Sequence, residues 1–139
     1  MANSEKEAKV TLRISSGTHS LFELIDIIGE NPSNGYGKGD LVSTKSATPR
    51  YREESLWFLE SGLSKDSTID EHLLKVTEFI ESNCDKLKSL VSVGCGIDVY
   101  CCFTTFNEQG GFILTSDIIK KFSALPIDIV FDLYSIDNE

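Results

Sequence analysis

The stretch VSVGCGIDVYCCFTTF, Val91–Phe106, decides the fold, and it places three cysteines within eight residues. Side chains on a strand alternate between two faces, so Cys95 and Cys101 are predicted to share the apolar face while Cys102 points the other way. The predicted apolar face carries Val93, Cys95, Ile97, Val99, Cys101 and Phe103. Cys95 and Cys101 would lie about 20 Å apart along the strand, whereas zinc holds each sulfur at ~2.3 Å. We therefore predict reduced, buried, structural cysteines, with a metal or redox role as the alternative.

Composition narrows the class of protein. The chain has 139 residues, 40% of them hydrophobic and 25% charged, which is ordinary for a single soluble globular domain over residues 1–139. The net charge of −9 argues against nucleic acid or anionic membranes as partners and suits a partner with a basic surface. The N-terminus MANSEKEAK is typical of neither a signal nor a transit peptide, and no apolar run approaches the ~20 residues of a membrane span. We expect a cytoplasmic protein whose residues 1–7 are frayed.

Local patterns predict the elements of the first half of the chain. Alternation predicts a strand over Lys9–Ser15, and a helix follows from Ser20 to Gly29, opened by a capping-box spacing and closed by glycine. The glycine- and proline-rich residues 30–52 are predicted to be irregular, with a candidate short strand over residues 40–44. The stretch SLWFLES is apolar on both faces, which predicts a strand covered on both sides.

The second half contains the longest helical pattern. A helix is predicted to start near Ser67 with one apolar stripe from Ile69 to Val91, and a second start signal at Ser82–Asp85 marks a break or kink. After the cysteine strand, a turn around Asn107–Gly111 is predicted to lead into FILT as a hairpin partner. A further helix begins near Ser116, and IDIVFDLYS is a last strand. The predicted inward residues of that further helix are Ile118, Ile119, Phe122 and Leu125.

This order of elements predicts an α+β fold with a mixed, largely antiparallel sheet and about three helices. A strand–helix–strand unit occurs at both ends of the chain, which hints at a degenerate internal duplication. Helices packed on one face of the sheet would bury the apolar stripes.

Several short motifs together resemble domain-of-unknown-function family 4279, a family of small, mostly bacterial proteins. The matching pieces are TLRI at Thr11–Ile14, Gly29, Pro32, Lys38-Gly39-Asp40, Trp57 with LESGL, Asp70-Glu71-His72-Leu73, and Gly110-Gly111-Phe112 with Leu114. The closing alternating strand also fits. The chain departs from the family at Ser116-Asp117, where a proline is expected after the serine. The resemblance covers nearly the whole chain, implies the fold and the domain boundaries, and leaves the function open because the family has no established activity.

Four charged residues of the irregular segment are candidate binding residues: Lys38, Asp40, Arg50 and Arg52. GYGKGD at Gly35–Asp40 lacks the G-x-x-x-x-G-K-[ST] order of a phosphate loop, so we predict a loop rather than a nucleotide site. The arginines and Lys38 form the main basic cluster beside Trp57; surface solvation is the favoured interpretation, and a pocket for a small anion or carboxylate is the alternative.

Two further groups have a functional and a structural interpretation. His72, in DEHLLKV, could act as a base. On a helix, however, the side chains of the adjacent acidic residues point in other directions, so we predict that His72 is a polar residue flanking the apolar stripe. Asp98, Asp128 and Asp132 alternate with apolar residues and are predicted to be solvated; if their strands are neighbours, they line one acidic surface suited to a basic partner. No Ser–His–Asp, Cys–His or zinc-helix pattern occurs.

We therefore expect an interaction protein without catalytic residues, cofactor or metal. Its partner would be another macromolecule, for example a basic enzyme neutralised by an immunity-like inhibitor, since the net charge is −9. The alternative is a small-molecule or anion-binding domain, or an unrecognised enzyme, that uses residues 30–52, because long irregular loops inside compact domains are usually functional or disordered.

Overall fold

The computed structural model describes residues 6–43, 47–106 and 110–137. The described strands are β1 (Lys6–Ser16), β2 (Asn34–Tyr36), β3 (Ser55–Glu60), β4 (Gly96–Phe106) and β5 (Asp128–Ile136). The described helices are α1 (Leu21–Ile28), α2 (Ile69–Ser82), α3 (Cys84–Ser92) and α4 (Ser116–Ser123). The five strands form one sheet in the order β2-β3-β1-β4-β5, with β2 antiparallel to β3 and β4 parallel to β5. The predicted α+β class and mixed sheet are confirmed.

The described chain divides into two compact units. The first unit comprises the described residues within 6–12, 60–82 and 98–137, and the second comprises those within 13–59 and 83–97. A single domain over the whole chain and an internal duplication both stay predictions.

The first unit is organised by the alternation of β4. Val99, Cys101 and Phe103 are buried, whereas Tyr100 and Cys102 between them are half-buried. Helices α2 and α4 pack against each other, and their buried apolar side chains sit at the helical spacing that the sequence predicts. The buried residues of these helices are Ile69, His72, Leu73, Val76, Thr77, Ile80, Ile118 and Phe122.

The second unit is organised around α1 and Trp57. The predicted capping box of α1 is present: Ser20 Oγ accepts from Glu23 N, and Glu23 Oε1 accepts from Ser20 N. Gly29 ends the helix in the left-handed region at φ 77°, where L side chains are strained. Trp57 is fully buried, as predicted, and its Nε1 donates to the carbonyl of Glu30 at 3.1 Å. The indole therefore fills the core and satisfies its polar atom.

The predicted long helix is two helices, which raises the count from about three to four in the described chain. Asn83 interrupts it with φ −120° and ψ 21°, and its carbonyl accepts the first hydrogen bond of α3 from Leu87 N. The sequence signal at Ser82–Asp85 thus marks the start of a second helix. Ile80 in α2 and Leu87 in α3, both on the predicted stripe, are each buried.

The predicted hairpin after the cysteine strand is wrong. Residues 110–115 form no strand, and β4 pairs instead with β5 in parallel, Val99 opposite Ile129. The Phe112 ring contacts Phe103 edge-on, with 5.1 Å between the ring centroids, and stacks on Phe131, with 5.3 Å between the centroids. The apolar character of FILT therefore serves aromatic packing rather than strand pairing. The predicted turn falls partly on residues 107–109, outside the described residues.

Other boundaries differ from the predictions for local reasons. Residues 6 and 7, predicted to be frayed, belong to β1, where Ala8 N donates to Lys65 O and Glu7 pairs with Lys65 at 3.1 Å. Residues 1–5 lie outside the described residues. Within residues 40–43 the candidate strand reduces to one bridge between Leu41 and Tyr51.

Two predicted inward positions also differ. Val93 is the C-cap of α3 and is 57% exposed, because β4 begins only at Gly96. Ile119 is 55% exposed, since α4 is short and buries only Ile118 and Phe122.

Candidate functional site

The structure brings the backbones of the candidate residues together: Arg52 N donates to the carbonyl of Asp40 at 2.8 Å, and Gly39 N, next to Lys38, donates to the carbonyl of Arg52 at 2.8 Å. The Lys38 ammonium donates to the carbonyl of Gly17 at 2.7 Å, and Asp40 Oδ2 accepts from Gly37 N at 2.7 Å. Lys38 and Asp40 therefore use their charged groups to hold the loop backbone. Both residues are otherwise exposed.

Arg50 and Arg52 are brought together. They border an open hollow of about 440 Å³ that Glu53 and Glu54 also border. The Arg52 guanidinium lies 3.7 Å from the centroid of the Tyr36 ring, and its buried Nε has no hydrogen-bond partner within the described chain. Two carboxylates beside two guanidinium groups make the hollow a mixed-charge surface rather than a strongly anion-selective one.

The cysteines are free, and Cys95 and Cys101 are buried as predicted. Burial raises the pKa of the Cys101 thiol to about 12, which keeps it protonated and a poor nucleophile or metal ligand at neutral pH. Across the residues the structure describes, no group of three or more His, Cys, Asp or Glu side chains stands close enough to hold a metal ion.

His72 is not the flanking residue that the sequence predicts, because only 1% of it is exposed. Its Nδ1 shares a hydrogen bond of 2.6 Å with the Ser61 hydroxyl, and its Nε2 has no partner among the described residues. Burial lowers the pKa of His72 and favours the neutral ring. A serine beside a histidine resembles half of a catalytic triad, but no carboxylate orients Nε2 and the ring is closed to solvent. The pair instead joins the turn after β3 to α2.

The three strand aspartates lie on one sheet face, because β4 and β5 are neighbours. Asp98 stands opposite Asp128 in the register, and Asp132 stands opposite Cys102. Asp132 Oδ2 accepts hydrogen bonds from the hydroxyls of Tyr100 and Tyr134, which lower the pKa of its carboxyl and raise those of both tyrosines. The carboxylate is therefore ionised and held in place at neutral pH.

Apolar side chains are exposed between these carboxylates. We define the β5 outer face as Asp128, Val130, Asp132, Tyr134 and Ile136. On it Val130, Tyr134 and Ile136 are 36%, 48% and 43% exposed, and β5 is the last strand in the sheet order. Exposed apolar side chains on a nine-residue outer strand are typical of an interaction surface.

The first unit also contains a cavity of about 560 Å³ that sequence analysis missed. We call it the α2 cavity, and residues 6–8, 66–70, 103 and 111–113 line it. Its walls come from four separate segments, so no sequence motif marks it. The glycine-glycine-phenylalanine motif at residues 110–112 is the one local signal, since Gly111 and Phe112 both line the cavity.

Comparison with known proteins places the chain in a family. The sequence profile described as "Domain of unknown function (DUF4279)" matches residues 6–136, nearly the whole chain. The chain belongs to the DUF4279 family. No curated protein and no solved structure matches it.

Membership in DUF4279 confirms the resemblance that the short motifs suggested. The family's description assigns no activity, so the function has to be argued from the residues of this chain. In the described part, no helix has the length and apolar character of a membrane span.

Proposed function

We propose that this DUF4279 protein is a non-catalytic binding domain whose partner is a macromolecule with a basic surface. The observation that carries the proposal is the β5 outer face, where exposed apolar side chains alternate with carboxylates on the last strand of the sheet. An immunity-like inhibitor of a basic enzyme is one concrete form of such a protein.

The β5 outer face has the composition of a binding surface. Interfaces combine aromatic and aliphatic anchors with a polar rim, and tyrosine is enriched among the residues that contribute most. Tyr134 and Val130 would serve as the anchors. Asp132, ionised and held by Tyr100 and Tyr134, would face a basic group without losing side-chain freedom on binding.

The charge of the whole chain supports the same partner. A net charge of −9 steers basic partners toward the protein and repels acidic ones, and this effect weakens as salt rises. Asp128 adds a carboxylate that forms no hydrogen bond or ion pair with another described residue. A partner cation could therefore pair with Asp128 without displacing an internal contact.

The test uses the double variant Val130→Lys/Tyr134→Lys. A tagged wild-type chain is used to recover partners from its own cell lysate at low salt, and each recovered protein is purified and titrated by calorimetry. We expect the double variant to weaken binding of the true partner at least about thirtyfold, as for loss of interface hot spots. Raising the salt should weaken wild-type binding.

The matched control is Phe22→Lys/Ile119→Lys, which adds the same two charges at apolar positions that are 85% and 55% exposed. It should keep wild-type affinity. Equal loss in both double variants would show that only net charge matters, and a partner insensitive to the β5 variant would contradict the proposal. Recovery of no salt-sensitive partner would also count against it.

A second candidate is an anion-binding site at Arg50 and Arg52, favoured by the stacking of Arg52 on Tyr36 beside the hollow. Titration with citrate tests it, because guanidinium groups bind carboxylates in bidentate fashion. Saturable binding lost in Arg50→Gln, with Lys38→Gln unaffected, would support this site. Absence of saturable binding would leave the hollow as ordinary surface.

A further inference from the structure

We propose that the α2 cavity binds an organic amine with an apolar aromatic body. This site lies within the first unit and does not depend on the partner proposed for the β5 outer face. The inference rests on the volume of the cavity, its aromatic wall and the carboxylates at its rim.

The cavity has the size and wall of a small-molecule site. Its volume of about 560 Å³ falls within the ~300–1,000 Å³ of typical ligand pockets. Phe103 and Phe112 meet edge-on at 5.1 Å, and Ala8 and Ile69 are buried beside them. Two aromatic rings and two aliphatic side chains therefore form an apolar wall. Contact with the apolar part of a ligand would remove this surface from water, which is favourable.

The small residues of the wall leave room for a ligand. Ala8 is held in place by the hydrogen bond from its backbone N to Lys65 O at 2.8 Å. A side chain added at Gly111 would meet no heavy atom within 4 Å, so the space beside it is open. Gly111 is exposed, so a ligand could approach this edge of the cavity without displacing a packed side chain.

The charge at the rim favours a cation. Glu7, Asp66 and Asp70 bring three carboxylates to the lining, against the one ammonium of Lys6. Glu7 pairs with Lys65 at 3.1 Å, and the charge of Asp66 also acts on the Lys65 ammonium, whereas the carboxylate of Asp70 forms no hydrogen bond or ion pair with another described residue. Asp70 is half-buried, so its interaction with a bound ammonium is screened less than on an open surface.

The helix terminus at the cavity does not reverse this preference. Thr68 and Glu71 form a capping box in which Thr68 N donates to Glu71 Oε1 at 3.0 Å and Glu71 N donates to Thr68 Oγ1 at 3.3 Å. Glu71 thus already compensates the positive end of α2. An anionic ligand would face the carboxylates of Glu7, Asp66 and Asp70, whereas among the described residues Lys6 is the single cationic residue that lines the cavity.

Calorimetric titration with three matched probes tests the class of ligand: 4-phenylbutylamine, 4-phenylbutanol and 4-phenylbutyrate share one body and differ in charge. We expect the amine to bind about tenfold more tightly than the alcohol, and the acid to bind most weakly. Amide NMR shifts should locate the bound amine at Ala8, Ile69 and Phe112.

The double variant Asp66→Asn/Asp70→Asn should lower the amine affinity to that of the alcohol and leave the alcohol unchanged. The control Asp26→Asn/Asp85→Asn removes two exposed carboxylates from the second unit and should bind the amine like wild type. Thermal melting of each variant shows that it is folded. The proposal would be overturned if the amine did not bind, if all three probes bound with equal affinity, or if the acid bound most tightly. It would also be overturned if both double variants lost the same affinity for the amine.

Discussion

The irregular segment and β5 both display charged residues to solvent, but they use them in opposite ways. In residues 30–43 and 47–52, the Lys38 ammonium and the Asp40 carboxylate hydrogen-bond to backbone atoms, and Arg52 stacks on Tyr36. On the β5 outer face, Asp128 forms no such bond with a described residue, and Val130 and Tyr134 are exposed. Charges that hold a loop together are costly to redirect to a ligand, whereas unpaired ones can bind a partner at once.

On the side of the irregular segment, the largest effect is expected for Trp57→Ala, because the indole Nε1 donates to the carbonyl of Glu30 at the start of that segment. Trp57 is fully buried, and truncating a core tryptophan typically costs about 3–5 kcal/mol, a large part of the ~5–15 kcal/mol that stabilises a domain. We expect the variant to be unfolded or poorly soluble, and Arg52→Ala to fold. Because Trp57 is the single tryptophan, its emission in the wild type should be blue-shifted and shielded from iodide. Emission like that of free indole would place Trp57 at the surface instead.

The second prediction concerns the buried His72 and pH. Burial lowers its pKa below the ordinary 6.5, so below pH 6.5 the unfolded chain binds a proton that the folded chain does not. Stability should therefore fall as pH drops below about 6.5 through this residue. A backbone hydrogen bond with Ser64 and the charge of Glu71 raise the pKa of His72 and limit the effect.

Chemical unfolding at pH 7 and pH 5.5 measures this loss. His72→Gln should lose less stability between the two values than wild type, although at pH 7 it should be less stable by about 1–3 kcal/mol because the hydrogen bond to Ser61 is altered. If His72→Gln lost as much stability as wild type between pH 7 and pH 5.5, the pH dependence would come from other groups.

These two residues also show what the sequence could and could not predict. The burial of Trp57 and the helix ends at Ser20 and Gly29 follow from local patterns, so sequence analysis found them. The burial of His72 depends on Ser61, which lies eleven residues away in the chain, and a polar residue beside an apolar stripe gives no sign of such a partner.

The candidate sites depend even more on distant contacts. The apolar segment around Phe112 predicts a hairpin strand, yet Phe112 packs on Phe103 and Phe131 and lines the α2 cavity. The acidic face was predicted only on condition that β4 and β5 pair, since alternation assigns a face and not a neighbour. Strand order is set by packing across the whole chain.

Substitutions on the β5 outer face, the exposed side of the comparison, should change stability only slightly. Val130→Lys/Tyr134→Lys changes side chains that are 36% and 48% exposed on the outer strand, where β propensities span only about 1 kcal/mol. We expect the double variant to unfold within about 1 kcal/mol of wild type in urea, with an unchanged circular dichroism spectrum. A loss comparable to that of Trp57→Ala would mean that the β5 outer face contributes to a core, and it would remove the basis of the proposed interaction surface.

The smallest expected effect is that of metal. Cys95 and Cys101 are buried among apolar side chains, and the pKa of Cys101, raised to about 12, disfavours the thiolate that zinc requires. Added zinc or a chelator should therefore leave the melting temperature unchanged, while Cys101→Val should cost at most a few kcal/mol through altered packing. A chelator that lowers the melting temperature by many degrees would contradict the structural role of these cysteines, because a structural zinc contributes its binding free energy directly to folding.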